Sequence, residues 1–171
     1  MKKIMELLQN MKAKNEKKDN KGFSLVELII VIAIMAILVG IVGTQVIPYI
    51  NKSKVSKDQQ VLNSFSSAAV TAYAENAETM PTTGTITVNV YGTNTADSPA
   101  ATLAAAIQKN TGYDGPNGLA NVKKQFASDA KTMTDDIIIK FDIYGHNVTT
   151  SIKYSDASTP KEKVADVKAT L

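Results

Sequence analysis

Hydrophobic and polar residues divide this chain into regions of different character. Residues 1–22 are polar and rich in lysine, residues 28–50 (LIIVIAIMAILVGIVGTQVIPYI) hold no charge, and charge returns at Lys52, Lys54, Lys57 and Asp58. At about 1.5 Å of rise per residue, a helix over the uncharged run spans a hydrocarbon core of about 30 Å. Beyond it the apolar positions narrow to one face, with Leu62, Phe65, Ala69, Ala72, Tyr73 and Asn76 recurring at three- and four-residue spacing. No strong breaker intervenes before Met80-Pro81. The pattern predicts a single helix from about Ser24 to about Ala77, roughly 80 Å long, apolar all round at its start and amphipathic at its end.

After Pro81 and Gly84 the period changes from helical to two. Thr85–Tyr91 (TITVNVY) alternates and is rich in β-branched residues, which predicts a strand. Tyr91–Ser98 is a loop. Ser98-Pro99 ahead of the alanine-rich residues 100–109 predicts a capped helix ending near Gly112. Residues 113–118 (YDGPNG) are turns, and Leu119–Ala127 is a second short helix. Asp136–Tyr144 sets Ile137, Ile139, Phe141 and Ile143 on one face. The turn Gly145-His146-Asn147 joins it to Val148–Tyr154, with Val148, Thr150, Ile152 and Tyr154 aligned. At least three antiparallel strands result, and the amphipathic half of the long helix is their cover. The expected class is α+β, a helical spine on a small sheet with short additional helices. Residues 155–171 read as a frayed helix or tail.

Charge changes this picture by adding topology. Residues 1–22 contain seven lysines and three acids, so the net charge of +3 for the whole chain is less than the +4 of this leader. A basic flank before an apolar span places residues 1–22 in the cytoplasm and the chain after about Asn51 outside. A secretory signal has the same order but a shorter apolar run and a small-residue cleavage site after it, and Thr44-Gln45-Val46 does not make one. Composition excludes more. With no cysteine there is no disulfide, thiolate zinc site or thiol nucleophile, and a lone histidine builds no multi-histidine metal site. All basic residues are lysine, so no arginine serves bidentate base readout, and no specific nucleic-acid partner is expected.

Glu27 is the exception within the apolar segment, flanked by Val26 and Leu28. Ionisable residues at membrane depth are expensive and are candidates for function. The stretch Lys21-Gly22-Phe23-Ser24-Leu25-Val26-Glu27-Leu28-Ile29, running into a long apolar helix, resembles the processing site of a type IV prepilin. The resemblance covers residues 17–50 closely and the rest by architecture alone. It implies a pilin fold and cleavage after Gly22 by a prepilin peptidase. Phe23 becomes the N-methylated mature terminus, and Glu27 lies fifth in the mature chain. It divides the chain into leader 1–22, a membrane or filament-core helix 23–50, and a head 51–171 that includes the rest of the helix. Expected partners are further copies of the chain in a homopolymer, the peptidase and methyltransferase, minor pilins, and an assembly platform with its ATPase. The expected location is the cytoplasmic membrane, then a surface pilus serving adhesion, aggregation or motility.

Gly40, Gly43 and Pro48 weaken the helix, since glycine costs about 1 kcal/mol and proline about 3 in a helix interior. In the family such residues mark local melting or bending, although the proline here falls a few positions late. The lack of a disulfide departs from many Gram-negative pilins and, with the lysine-only composition, resembles pilins of Gram-positive, clostridial-type bacteria. Two other readings stand beside the pilin. One is a pseudopilin of a secretion or DNA-uptake machine, and the other is an uncleaved single-span protein with an external binding domain.

Other candidate chemistry is thin. His146 reads as an exposed turn residue and Asp135-Asp136 as a strand start. Asp114-Gly115-Pro116-Asn117-Gly118 lacks the ligand spacing of a calcium loop. Asn51-Lys52-Ser53 and Asn147-Val148-Thr149 match a glycosylation sequon, a weak signal in a bacterial protein. No catalytic residue, metal or cofactor is assigned, and no enzyme activity is expected.

Overall fold

A computed structural model describes residues 5–6, 24–155, 160 and 163–171. Contacts divide the chain into two units, Met1–Gln45 and Val46–Leu171. The long helix α1 covers Leu25–Glu75. A single 3-10 turn, Ala77–Thr79, follows. Then come strand β1 (Thr85–Asn89), helices α2 (Pro99–Thr111), α3 (Gly118–Gln125) and α4 (Ala130–Met133), and strands β2 (Thr134–Asp142), β3 (Asn147–Tyr154) and β4 (Val167–Thr170). The α+β layout of a long N-terminal helix, an antiparallel sheet and short helices is consistent with the pilin fold.

In the second unit, four strands form an antiparallel meander in the order β1-β2-β3-β4. Its inner face is the one the alternation anticipates: Ile86 and Val88 from β1, Ile137, Ile139 and Phe141 from β2, and Val148, Thr150 and Ile152 from β3 are buried. They form one core with Leu62, Phe65, Ala69 and Ala72 of α1 and with Leu103 and Ile107 of α2. Tyr73 of α1 stacks on Phe141, ring centroids 5.7 Å apart. Phe65 stacks on Tyr113 at 6.3 Å and meets Tyr91 edge-on at 6.4 Å. Such ring pairs add about 0.5–1.5 kcal/mol beyond area burial.

Local chemistry sets the boundaries of α2. The Ser98 side chain accepts from Ala101 N, Pro99 takes the first turn, and Gly112 ends the helix at φ 74°. Proline there forfeits no intrahelical bond, and only glycine adopts that left-handed φ without penalty.

Three expectations are corrected. The first strand stops at Asn89: one more ladder bond follows, Val90 N to Ile137 O at 2.9 Å, and then the Asp136 carboxylate takes Tyr91 N at 2.8 Å and Gly92 N at 3.0 Å in place of a strand partner. On the outer edge of β1 the Asn94 side chain pairs with the Asn89 backbone, Asn89 N to Asn94 Oδ1 at 3.0 Å and Asn94 Nδ2 to Asn89 O at 2.7 Å. The second strand begins at Thr134, before Asp136, with a register irregularity between the two. The C-terminal residues are neither frayed helix nor loose tail throughout, since Val167–Thr170 adds a fourth strand to β3. Val167, Ala169 and Leu171 alternate inward, a signal too short and too small to stand out in a polar tail.

Candidate functional site

The first unit presents its apolar residues outward. Leu25, Val26, Leu28, Ile29, Ile30, Val31, Ile32, Ile34 and Met35 are all exposed, and among the described residues nothing buries the most hydrophobic stretch of α1. This helix is long and apolar enough to cross a membrane, with mean hydropathy 3.2 over that stretch. A helix apolar all round finds its solvent in lipid or in other helices.

At its start, Ser24 occupies the N-cap position: its carbonyl receives the first intrahelical bond, from Leu28 N at 3.1 Å. Glu27 stands three residues on, and its Oε2 accepts from Ser24 N at 2.9 Å. This is one half of a capping box, in which a carboxylate at the third helical position satisfies an N–H that has no intrahelical partner. The carboxylate also lies at the positive end of the helix dipole. The sequence reading missed the local role of Ser24, although the Ser-x-x-Glu spacing was its signal. Gly22 and Phe23 lie outside the described residues.

Further along, α1 runs uninterrupted through Gly40, Gly43 and Pro48. Pro48 has no N–H to offer the preceding turn. Thr44, four residues before it, bonds its side chain backwards to Ile41 O at 3.0 Å and Gly40 O at 3.4 Å. A Cβ added at Gly40 or Gly43 meets nothing within 4 Å. No contact among the described residues therefore calls for either glycine.

Residues 17–43 match the family model of the prokaryotic N-terminal methylation motif. The chain carries a class III signal peptide of the type IV pilin kind. The matched segment spans positions 22, 23, 27, 40 and 43 and ends before Pro48, and the match supports a type IV pilin-like or pseudopilin protein. It implies processing by prepilin peptidase, and with α1 it points to membrane anchoring ahead of assembly. No curated protein and no solved structure matches the chain.

In the second unit, the residues considered for chemistry do structural work. His146 is exposed at φ 52° in the β2–β3 turn, where its carbonyl accepts from Leu171 N at 2.9 Å. In the 114–118 turn, Gly118 N bonds to Gly115 O at 3.0 Å. Asn147 of the second sequon donates to Gly145 O at 2.6 Å, and Asn51 of the first is within α1. Among the described residues, no group of three or more His, Asp or Glu side chains is placed to hold a metal ion.

Asp135 and Asp136 separate sharply. Asp135 is exposed and pairs with Lys153 at 3.4 Å. Asp136 is buried and accepts from Tyr91 N at 2.8 Å, Gly92 N at 3.0 Å and Ile137 N at 2.7 Å. Burial pushes its carboxyl above the ordinary range, against these hydrogen bonds, which favour the charged form. Gly92 permits the approach, because a Cβ there would lie 2.6 Å from Asp136 Oδ2. Burial likewise raises the Tyr91 hydroxyl, which donates to Tyr113 O at 3.0 Å.

Proposed function

We propose that this chain is the principal structural subunit of a type IV pilus, cut after Gly22 and polymerised through the apolar half of α1. The carrying observation is the methylation motif at residues 17–43 leading directly into a helix whose apolar side chains are exposed among the described residues. Cutting before the apolar run keeps that helix on the mature protein as its assembly element. Relative to water, burying these side chains against neighbouring helices is worth about 25 cal/mol per Å² of apolar surface, which holds the helix bundle together once it has left the membrane. Once the leader is removed, the mature chain has 12 lysines and 13 acids, close to neutral, so bulk charge neither drives nor opposes assembly.

Glu27 acts in this reading as the register element. One carboxylate oxygen serves Ser24 N, which leaves the other for the α-amine that cleavage creates on Phe23, in the same or the neighbouring subunit. A misplaced subunit buries the carboxylate unpaired, at a cost of several kcal/mol. Gly40, Gly43 and Pro48 supply the helix with a segment that yields during packing or extension. The prepilin sits in the cytoplasmic membrane with its leader inside and its head outside. Its partners are the peptidase and methyltransferase, the assembly platform and ATPase, and minor pilins, and it performs no catalysis. Adhesion, aggregation and surface motility are the roles such a fibre serves.

Mass spectrometry of the surface-exposed protein, with electron microscopy of sheared fibres, tests the proposal. A mature chain beginning at N-methyl-Phe23 within long fibres supports it. An intact Met1 eliminates it in favour of an uncleaved membrane protein. A processed chain confined to short fibres that never reach the surface assigns a pseudopilin. Wild-type assembly rates in Glu27→Gln would remove the register role alone.

A further inference from the structure

The outer face of the sheet carries chemistry that neither the spine nor the processing segment uses. Strand register sets Thr87 opposite Lys140, Lys140 opposite Thr149, and Thr149 opposite Lys168. One row thus crosses the whole sheet as hydroxyl, ammonium, hydroxyl, ammonium. The adjacent row is Thr85, Asp142, Asn147 and Thr170. Both rows are exposed apart from the half-buried Thr149. With neighbouring strands about 4.8 Å apart, the backbones of Lys140 and Lys168 are separated by about 10 Å. A depression of about 310 Å³ is lined by Lys140, Lys168, Thr149, Asn147, Asp142 and Thr85.

The two ammonium groups have no carboxylate within 4.0 Å among the described residues, where the ion pair formed is Lys153 with Asp135. Asp142, their acidic neighbour, already accepts from Gly145 N at 3.1 Å through Oδ1. Two like charges flanking one hydroxyl repel each other, and an anion laid between them relieves that repulsion. The two rows contain no aromatic ring, so neither a nucleobase nor the apolar face of a sugar ring finds a stacking surface.

We propose that this face binds a polyol-phosphate polymer, a chain of phosphodiesters separated by hydroxylated carbons. Lys140 and Lys168 hold phosphates as point charges, while Thr87, Thr149 and Asn147 exchange hydrogen bonds with the hydroxyls between them. The alternation of cation and hydroxyl along the row matches the alternation of anion and hydroxyl along such a polymer. Each site is weak, since exposed ion pairs are worth little. In a fibre the site would repeat and gain avidity. That gain rests on the polymerisation proposed above, whereas binding by a single chain does not.

The test is an amide NMR titration of the full-length chain in detergent micelles with poly(glycerol phosphate). Oligothymidylate of equal phosphate count and neutral dextran are the comparison polymers. Site-resolved shifts separate the sheet from the lysine-rich leader, which attracts any polyanion. The expected result is saturable shifts along the 87–140–149–168 row, with half-saturation moved about tenfold higher in Lys140→Gln/Lys168→Gln. Thr149→Val should weaken the poly(glycerol phosphate) complex severalfold without changing its salt dependence. Unchanged thermal unfolding of these surface variants separates lost binding from lost fold. Half-saturation unchanged in the double variant would overturn the site. Equal or tighter binding of oligothymidylate at the same residues would reduce it to a general anion patch and overturn the polyol assignment, and displacement of the polymer by dextran would overturn the role of phosphate.

Discussion

Asp58→Ala is expected to destabilise the unit formed by residues 46–171 strongly. Asp58 is fully buried, and its carboxylate accepts from Ala127 N at 2.6 Å, Ser128 N at 3.1 Å and the Ser128 hydroxyl. Residues 127–128 belong to the connection between α3 and α4, so this one group fastens the spine helix to the head. Alanine leaves the two partly buried N–H groups of Ala127 and Ser128 without this acceptor. Each such loss costs about 1–3 kcal/mol, so the expected destabilisation is about 3–5 kcal/mol. Against a typical domain stability of about 5–15 kcal/mol this is a large share. For a unit the size of residues 46–171, it corresponds to a fall of roughly 10–20 °C in Tm. The assay is thermal unfolding of the full-length chain in detergent, followed by near-UV circular dichroism of its tyrosines. Ser128→Ala removes one donor to Asp58 and the acceptor of Ala130 N at 3.1 Å, and combining it with Asp58→Ala should add less than it costs alone, because the bond to Asp58 is already gone. A Tm within about 3 °C of wild type for Asp58→Ala, or full additivity in the double variant, would refute the reasoning.

The same unfolding assay checks the others. Gly118→Ala should cost more than 2 kcal/mol, about the scale of an overpacked core site, because its Cβ would collide with the Tyr113 carbonyl and lie 2.6 Å from Tyr91 Cε1. A variant as stable as wild type would show that the Tyr113 turn moves freely. Thr150→Val should raise stability by about 1 kcal/mol, since the buried Thr150 hydroxyl has no hydrogen-bond partner among the described residues. A lower Tm would mean that the hydroxyl is satisfied. Asp136 carries a pH signature. Its folded pKa is raised above the ordinary 3.8, so the folded state holds the proton more tightly, and stability from this group falls as pH rises from about 4 through the raised value. Asp136→Asn abolishes that slope, so the wild-type advantage over Asn should shrink with rising pH across this window and then stay flat. A gap that widens over the same window would reverse the assignment.

The processing segment was legible because its information is local. A basic flank, a Gly-Phe junction, an acid four residues later and an uncharged run are contiguous, and each acts through topology or helix polarity. The strand alternation and the Ser98-Pro99 and Gly112 boundaries of α2 were legible for a similar reason, since periodicity and capping operate within a few residues. Asp58 was not. In sequence it is one more charge in a lysine-containing stretch, and only the fold brings residues 127–128 to it, seventy positions on. Gly92 gave no sign that Asp136 would need its missing Cβ. Asn94 covers the outer edge of β1 through an amide whose role depends on the loop's path. The fourth strand escaped because Val167–Thr170 is stabilised by pairing with β3, a partner its own composition does not announce.

By itself the sequence determined the polarity of the molecule: which end is basic, which segment seeks an apolar medium, and where helix gives way to strand. These follow from transfer free energies and backbone geometry, which each residue carries wherever it is placed. Tertiary structure alone decided which charges are buried and paired, and that Lys140 and Lys168 share one row with Thr149 between them. Those outcomes depend on register, and strand register places side by side residues that lie far apart in the chain.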